Sequence, residues 1–226
     1  MSEHPGRNTA ASDPVAGPVD ASPTGTSDRS FGLTFDYRCP FARNLHEHVV
    51  TALRGGADWD VSFVPFSLNQ VHVGEGEPDV WDDPSRARDL LALQVGVAIR
   101  DGWPEHFLRT HIALFAARHD RGLDLRDEDA IRKVLKELGL EADSVFEAIA
   151  GGTPLVAVRR EHEQAVTAYE VFGVPTVILD GRAAFVRVMD RPEDDSDRAT
   201  ATIARLLDTI TGWPALNELK YTTIPR

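Results

Sequence analysis

The sequence predicts an α/β fold: a small mixed sheet whose two halves are separated in the chain by an all-helical segment. Three observations lead there. A short apolar run, Phe31-Gly32-Leu33-Thr34-Phe35, passes through a turn into helical spacing and then into a second, alternating run. From about residue 70 to residue 172 the apolar residues recur with helical spacing, punctuated by Gly and Pro. The chain then returns to β character around Asp180-Gly181, the strongest short-range hairpin signal, and closes with one more helix.

Residues 1–30 are rich in Pro, Ser, Thr, Gly, Ala and Asp and show no hydrophobic periodicity, so a disordered leader is expected there. The first strand is expected over 31–36, with Tyr37 and Arg38 as a loop and Cys39 as the N-cap of a helix. Pro40 suits the first helical position, where its missing N–H would have had no partner. Phe41, Leu45, Val49 and Leu53 recur every four residues as a core-facing stripe, and Gly55-Gly56 end the helix. Residues 59–66 alternate, with Trp59, Val61 and Phe63 on one face, and Pro65 closes this second strand.

An acidic loop over 74–79 follows, and then helices are expected over 84–100, 105–118, 128–138, 144–150 and 154–171. Strands are expected over 176–179 and 184–188. A last helix is expected from Pro192 to Ile210, with Glu193, Asp194 and Asp195 in a first turn that complements the helix dipole. The implied division is a core of residues 31–69 and 173–226 with a helical insertion over 70–172.

Composition narrows the function. The 24 Lys and Arg against 36 Asp and Glu give a formal charge of −12, and no Lys/Arg-rich run offsets it, so nucleic acid is not an expected partner. No N-terminal apolar segment reads as a secretion signal, and no stretch approaches the ~18 apolar residues of a membrane span. One cysteine in 226 residues leaves no internal disulfide and points to a reducing, cytoplasmic setting.

That cysteine, Cys39, is the leading candidate for chemistry. A lone cysteine is most often a small buried hydrophobe. At a strand-to-helix turn, however, unpaired backbone N–H groups and the helix dipole favour the thiolate, the form that attacks disulfides and electrophiles. A lowered thiol pKa is therefore expected, with Arg38 and Arg43 as further sources of positive potential or as ordinary solvated charges. Ala42 stands one turn on, so a mixed disulfide on Cys39 has no internal thiol to resolve it.

The histidines carry weaker signals. His46 and His48 are two apart and face different ways; His106, His111 and His119 lack the spacing of helical ligand pairs. His162 reads as a satisfied structural histidine, and no metal is expected. In the insertion, Trp81, Trp103, Phe107, Ile112 and Phe115 read as core, with one or two of them facing a pocket.

Cys39-Pro40-Phe41-Ala42 after a strand, a helical insertion, and Gly173-Val174-Pro175-Thr176 before the final hairpin resemble the DsbA-like branch of the thioredoxin superfamily. Within it, Val64-Pro65-Phe66-Ser67-Leu68-Asn69 and Asn217-Glu218-Leu219-Lys220 resemble the mycothiol-dependent nitroreductase and oxidoreductase group. The family motif is Cys-Pro-x-Cys, and Ala42 departs from it. The resemblance implies a thioredoxin-like core and Cys39 as nucleophile. It also implies Val174-Pro175 as a cis bond facing the thiol, and Pro40, Phe41, Val174 and Pro175 as the residues that contact the substrate or a small thiol.

The implied cofactor is a low-molecular-weight thiol, mycothiol- or glutathione-like, with a redoxin as a possible partner and a small electrophilic, nitroaromatic or disulfide substrate. Two alternatives stay open. One is a thiol-cofactor isomerase or transferase of the kappa and hydroxychromene-carboxylate isomerase type; the other is a non-catalytic binding module. The oligomeric state is open as well.

Overall fold

In the computed structural model, which describes residues 29–223, four strands form one mixed sheet in the order β2-β1-β3-β4. Most of the leader expected over 1–30 lies outside the described residues, and its last two, Arg29 and Ser30, already belong to β1 (Arg29–Phe35). Leu33, Thr34 and Phe35 are buried on both faces of the sheet, which explains why this strand reads as a near-continuous run rather than an alternating one. β2 (Trp59–Pro65) pairs with it in parallel, from Arg29 opposite Trp59 to Phe35 opposite Pro65. β3 (Thr176–Leu179) pairs with β1 on the other side, antiparallel, and turns at Asp180-Gly181 into β4 (Arg182–Phe185).

Between β1 and β2 runs α1 (Pro40–Arg54), which packs against α8 (Ser196–Gly212) at the end of the chain. The segment between β2 and β3 is helical: the single turn α2 (Leu68–Val71), a 3-10 helix (Pro84–Leu90), α3 (Leu91–Gly102), α4 (Pro104–His119), α5 (Glu128–Glu137), α6 (Ala142–Ala150) and α7 (Thr153–Tyr169). α3 is the hub of this layer and touches α4, α6 and α7, while α4 packs on α1 and α7 on β2. Arg100 on α3 fastens the layer to the sheet, donating to Glu161 of α7 and to the Phe63 carbonyl of β2, each at 2.7 Å.

Three sequence expectations need correction. The helix expected over 84–100 is two pieces, because Asp83 caps a 3-10 turn opened by Pro84 before α3 begins. The last helix does not start at Pro192. Glu193 and Asp194 adopt the left-handed φ values of 54° and 63°, and the Asp195 side chain caps the helix by accepting the Arg198 N–H at 2.9 Å. The final strand ends at Phe185 rather than running through 184–188. The short helix α2, capped by Ser67 through the Gln70 N–H, carries no readable periodicity.

Core and insertion are joined by a buried chain of polar groups. His46 on α1 donates from Nε2 to the Thr34 carbonyl (3.1 Å), which leaves its Nδ1 to accept from His111 Nε2 (2.8 Å). His111 Nδ1 then accepts the Tyr37 hydroxyl at 2.9 Å. With both rings neutral each of these hydrogen bonds is satisfied, and burial enforces neutrality by lowering His46 to about 3 and His111 well below the usual histidine range. Phe35, Phe63, Phe107 and Phe115 surround the pair with mostly edge-on or tilted ring contacts.

Tyr37 lies directly over Gly96 of α3, where an added Cβ would stand 2.5 Å from the tyrosine oxygen. Gly96→Ala should therefore destabilise the protein by about 1–3 kcal/mol through overpacking, although helix propensity alone would favour alanine by about 1 kcal/mol. Urea denaturation checks this; a stabilised variant would mean that Tyr37 is not held against α3.

Candidate active site

The turn from β1 to α1 is built on Asp36, which the sequence reading passed over. Its carbonyl accepts the Cys39 N–H at 3.0 Å. Its buried carboxylate accepts the Arg38 and Leu68 N–H groups, both at 2.9 Å, so one side chain ties this turn to the one that follows β2. Cys39 itself has extended φ and ψ of −90° and 117°, the geometry of an N-cap, with Pro40 at the first helical position. Its Sγ accepts the Ala42 N–H at 3.4 Å and donates to the Val174 carbonyl at 3.4 Å.

The facing loop is held by Thr34. The Thr34 hydroxyl accepts the Thr176 N–H at 2.8 Å and reaches the Gly173 carbonyl at 3.5 Å, and the Thr176 hydroxyl donates to that carbonyl at 2.8 Å. On the far side the Val186 N–H donates to the Pro175 carbonyl at 3.0 Å. Within this frame the Val174–Pro175 peptide is cis. Cys39 and Val174 are thus in direct contact, Pro40 opens the helix beneath the thiol, and Phe41 lies half-buried beside it.

The expected lowering of the Cys39 thiol is overturned. Burial is the largest influence and pushes the thiol up from its ordinary value; the Ala42 and Phe41 N–H groups pull it down, the Asp36 carboxylate pushes it up, and the Arg187 guanidinium pulls it down. The helix N-terminus acts in the expected direction but is outweighed, since Cys39 is only 8% exposed. Arg38 and Arg43 are not the cations that act on the sulfur. Arg38 is engaged by Asp36 and Asn69, and Arg43 by Asp120 and Asn44. The cation whose charge reaches the sulfur, as the smallest of these influences, is Arg187, 148 positions away in the chain, where no sequence motif marks it.

The other candidates have structural roles. His162 accepts the Ser67 N–H at 3.2 Å and its ring packs on Phe66. His119 donates to the Tyr37 carbonyl at 2.9 Å. Among the described residues no group of three or more His, Cys, Asp or Glu is arranged to hold a metal ion, and no helix is long and apolar enough to cross a membrane. A cleft of about 320 Å³ opens between the β1–α1 turn and the helical layer, lined by Asp36, Arg38, Leu93, Arg118 and Leu125 among others. None of Trp81, Trp103, Phe107, Ile112 or Phe115 lines it; as expected for one or two of them, Ile112 lines a separate cleft of about 370 Å³ beside Arg191 and Phe107 one of about 610 Å³ beside Trp59, while Phe115 is fully buried.

With the thiol held up by burial, its alkylation by iodoacetamide should quicken about tenfold per pH unit between pH 6 and 8.5, because only the thiolate reacts. A rate that levels off below pH 7.5, followed by intact mass, would contradict this reading of the site.

The geometry has counterparts in known proteins. The model of the DSBA-like thioredoxin domain matches residues 104–196, a stretch that includes Val174 and Pro175. An uncharacterized protein of Mycobacterium tuberculosis, Rv2286c, is 26% identical over 192 residues, covering 84% of this chain and 81% of the relative. Among solved structures, Pseudomonas aeruginosa DsbA aligns with a TM-score of 0.53 at 20% identity, covering 87% of this chain and 92% of that one. The cytosolic disulfide reductase DsbM from Pseudomonas aeruginosa, solved with GSH, aligns at 0.55 and 14% identity over 79% of this chain and 98% of its own. A 2-hydroxychromene-2-carboxylate isomerase aligns at 0.54 and 14% identity over 81% and 98%. The chain has a DsbA-like thioredoxin fold, with its helical layer inserted between β2 and β3.

Proposed function

We propose that the protein is a thiol-dependent oxidoreductase of the cytoplasm that works through one cysteine and a low-molecular-weight thiol, mycothiol- or glutathione-like. The observation that carries this reading is the placement of Cys39 Sγ between the Ala42 N–H at the start of α1 and the Val174 carbonyl. A sulfur in that position is aimed at whatever docks along the 173–176 loop. The single cysteine supports a reducing compartment, and the likeness to a cytosolic reductase solved with GSH is consistent with a small-thiol partner.

On a small disulfide, the Cys39 thiolate attacks one sulfur, the old S–S bond breaks, and the departing thiolate takes up a proton. The product is a mixed disulfide on Cys39. Because Ala42 occupies the place of a resolving cysteine, a second small thiol or a redoxin must attack the mixed disulfide, restoring Cys39 and leaving as the oxidised species. Pro40, Phe41, Val174 and Pro175 form the walls against which the substrate or thiol rests. Small electrophiles and nitroaromatic compounds are the further substrate classes of this reading.

One observation favours a second reading. Burial keeps the thiol protonated, and its S–H is already given to the Val174 carbonyl. A thiol in that state suits a site that binds and activates an external thiol without net redox change, as a thiol-cofactor isomerase or transferase would.

Intact-mass analysis after exposure to oxidised mycothiol, bacillithiol and glutathione separates the two. The oxidoreductase reading expects one selective adduct on Cys39, and loss of adduct and of thiol-dependent turnover in Cys39→Ser. Full turnover in Cys39→Ser would overturn it, and a thioether product formed without net redox change would establish the second.

A further inference from the structure

In a chain of charge −12, the structure gives most of its arginines a carboxylate: Arg29 has Asp208, Arg43 has Asp120, Arg100 has Glu161, Arg132 has Glu128 and Arg191 has Glu47. Arg187 is treated differently. Among the described residues it has no carboxylate partner, and its guanidinium lies over two aromatic rings, 5.0 Å from the Phe41 centroid and 5.2 Å from that of Phe185. The two rings position the guanidinium, and among the described residues no hydrogen bond occupies its N–H fork, which is the group that takes a carboxylate in two parallel hydrogen bonds.

The backbone on both sides of Arg187 is also fixed. The Val186 N–H is bonded to the Pro175 carbonyl at 3.0 Å, and the Val188 carbonyl accepts from Asn44 Nδ2 of α1, also at 3.0 Å. The arginine is therefore suspended between the loop that contacts the thiol and the helix that the thiol caps, near enough for its charge to act on Cys39. Beside it, Phe172 is 68% exposed and its ring lies 5.2 Å from Phe185. A cation lying over two phenylalanines, one of them Phe41 next to Cys39, with Phe172 extending the apolar patch through Phe185, forms a half-apolar, half-cationic surface.

We propose that Arg187 is a specificity-determining residue that holds the carboxylate of a small disulfide while Cys39 attacks its sulfur, with Phe41, Phe172 and Phe185 covering the apolar part of that molecule. This rests on the oxidoreductase reading and narrows its substrate class to carboxylate-bearing disulfides. In the step itself the Cys39 thiolate forms a new S–S bond with the near sulfur, the original S–S bond breaks, and the carboxylate-bearing thiolate leaves and is protonated. The disulfide is reduced and Cys39 is oxidised to the mixed disulfide, which a low-molecular-weight thiol later reduces.

The test uses the full chain and three disulfides of opposite charge character: 3,3′-dithiodipropionate, 2-hydroxyethyl disulfide and cystamine. Rates of adduct formation on Cys39 are followed by intact mass at about 0.15 M ionic strength and divided by the rate of each reagent with 2-mercaptoethanol, a thiol with no other charge. A net charge of −12 by itself ranks the reagents cation, neutral, anion. The proposal expects the reverse, with the anion about tenfold ahead of the neutral reagent.

Arg187→Gln should bring that anion-to-neutral ratio to one or below, and Arg187→Lys should restore part of it. Using a ratio removes the general slowing that follows from losing a positive charge near the thiol. A wild-type ratio at or below one, or a ratio unchanged in Arg187→Gln, overturns the proposal while leaving Cys39 as a nucleophile. Absence of any adduct with all three reagents overturns the oxidoreductase reading and this proposal with it.

Discussion

Thr34 lies in the middle of the sheet with no exposed surface, and three separate parts of the protein meet on it. Its hydroxyl holds the 173–176 loop at two points, the Thr176 N–H and the Gly173 carbonyl. Its carbonyl receives the His46 ring, and through His46 and His111 it is linked to Tyr37 and to the helical layer. A buried threonine is ordinarily a cost unless both its donor and its acceptor are used; here each has a partner. The contact between Cys39 Sγ and the Val174 carbonyl exists because this residue sets the height of the loop over the first turn of α1.

The chemistry of the site follows from two opposed effects at the sulfur. The open end of α1 offers N–H groups that stabilise a thiolate, and Arg187 adds charge of the same sense. Against them stand burial, the larger influence, and the negative Asp36 that builds the turn. The result is a thiol that rests protonated against a carbonyl and needs something from the arriving molecule to become reactive. The site is thus closed at rest by the same loop that a substrate must use.

Much of the architecture was legible because it rests on local patterns. The apolar run before Cys39, the fourfold stripe of α1, the helical spacing between β2 and β3, and the Asp180-Gly181 turn each carry their own signal. The strand expected over 176–179 is the observed Thr176–Leu179. Errors came where a local preference was overruled: acidic residues after Pro192 look like a first helical turn, yet Glu193 and Asp194 take left-handed conformations and Asp195 supplies the cap. The single turn of α2 is too short to show a period. In the candidate site only Cys39 and the 173–176 segment announced themselves. Asp36, Thr34 and Arg187 did not, because each role depends on at least one partner 32 or more positions away that only the folded sheet brings near.

The central claim, that the Thr34 hydroxyl holds the 173–176 loop over Cys39 and so keeps the sulfur buried and protonated, is tested most directly by titrating Cys39 in Thr34→Val, which keeps the side-chain shape and removes the hydroxyl. The readout is the NMR chemical shift of the Cys39 Cβ as a function of pH. With the loop released, the S–H loses its acceptor and gains solvent, so the titration should move to lower pH than in the wild type. An unchanged titration in a folded Thr34→Val protein would contradict the account.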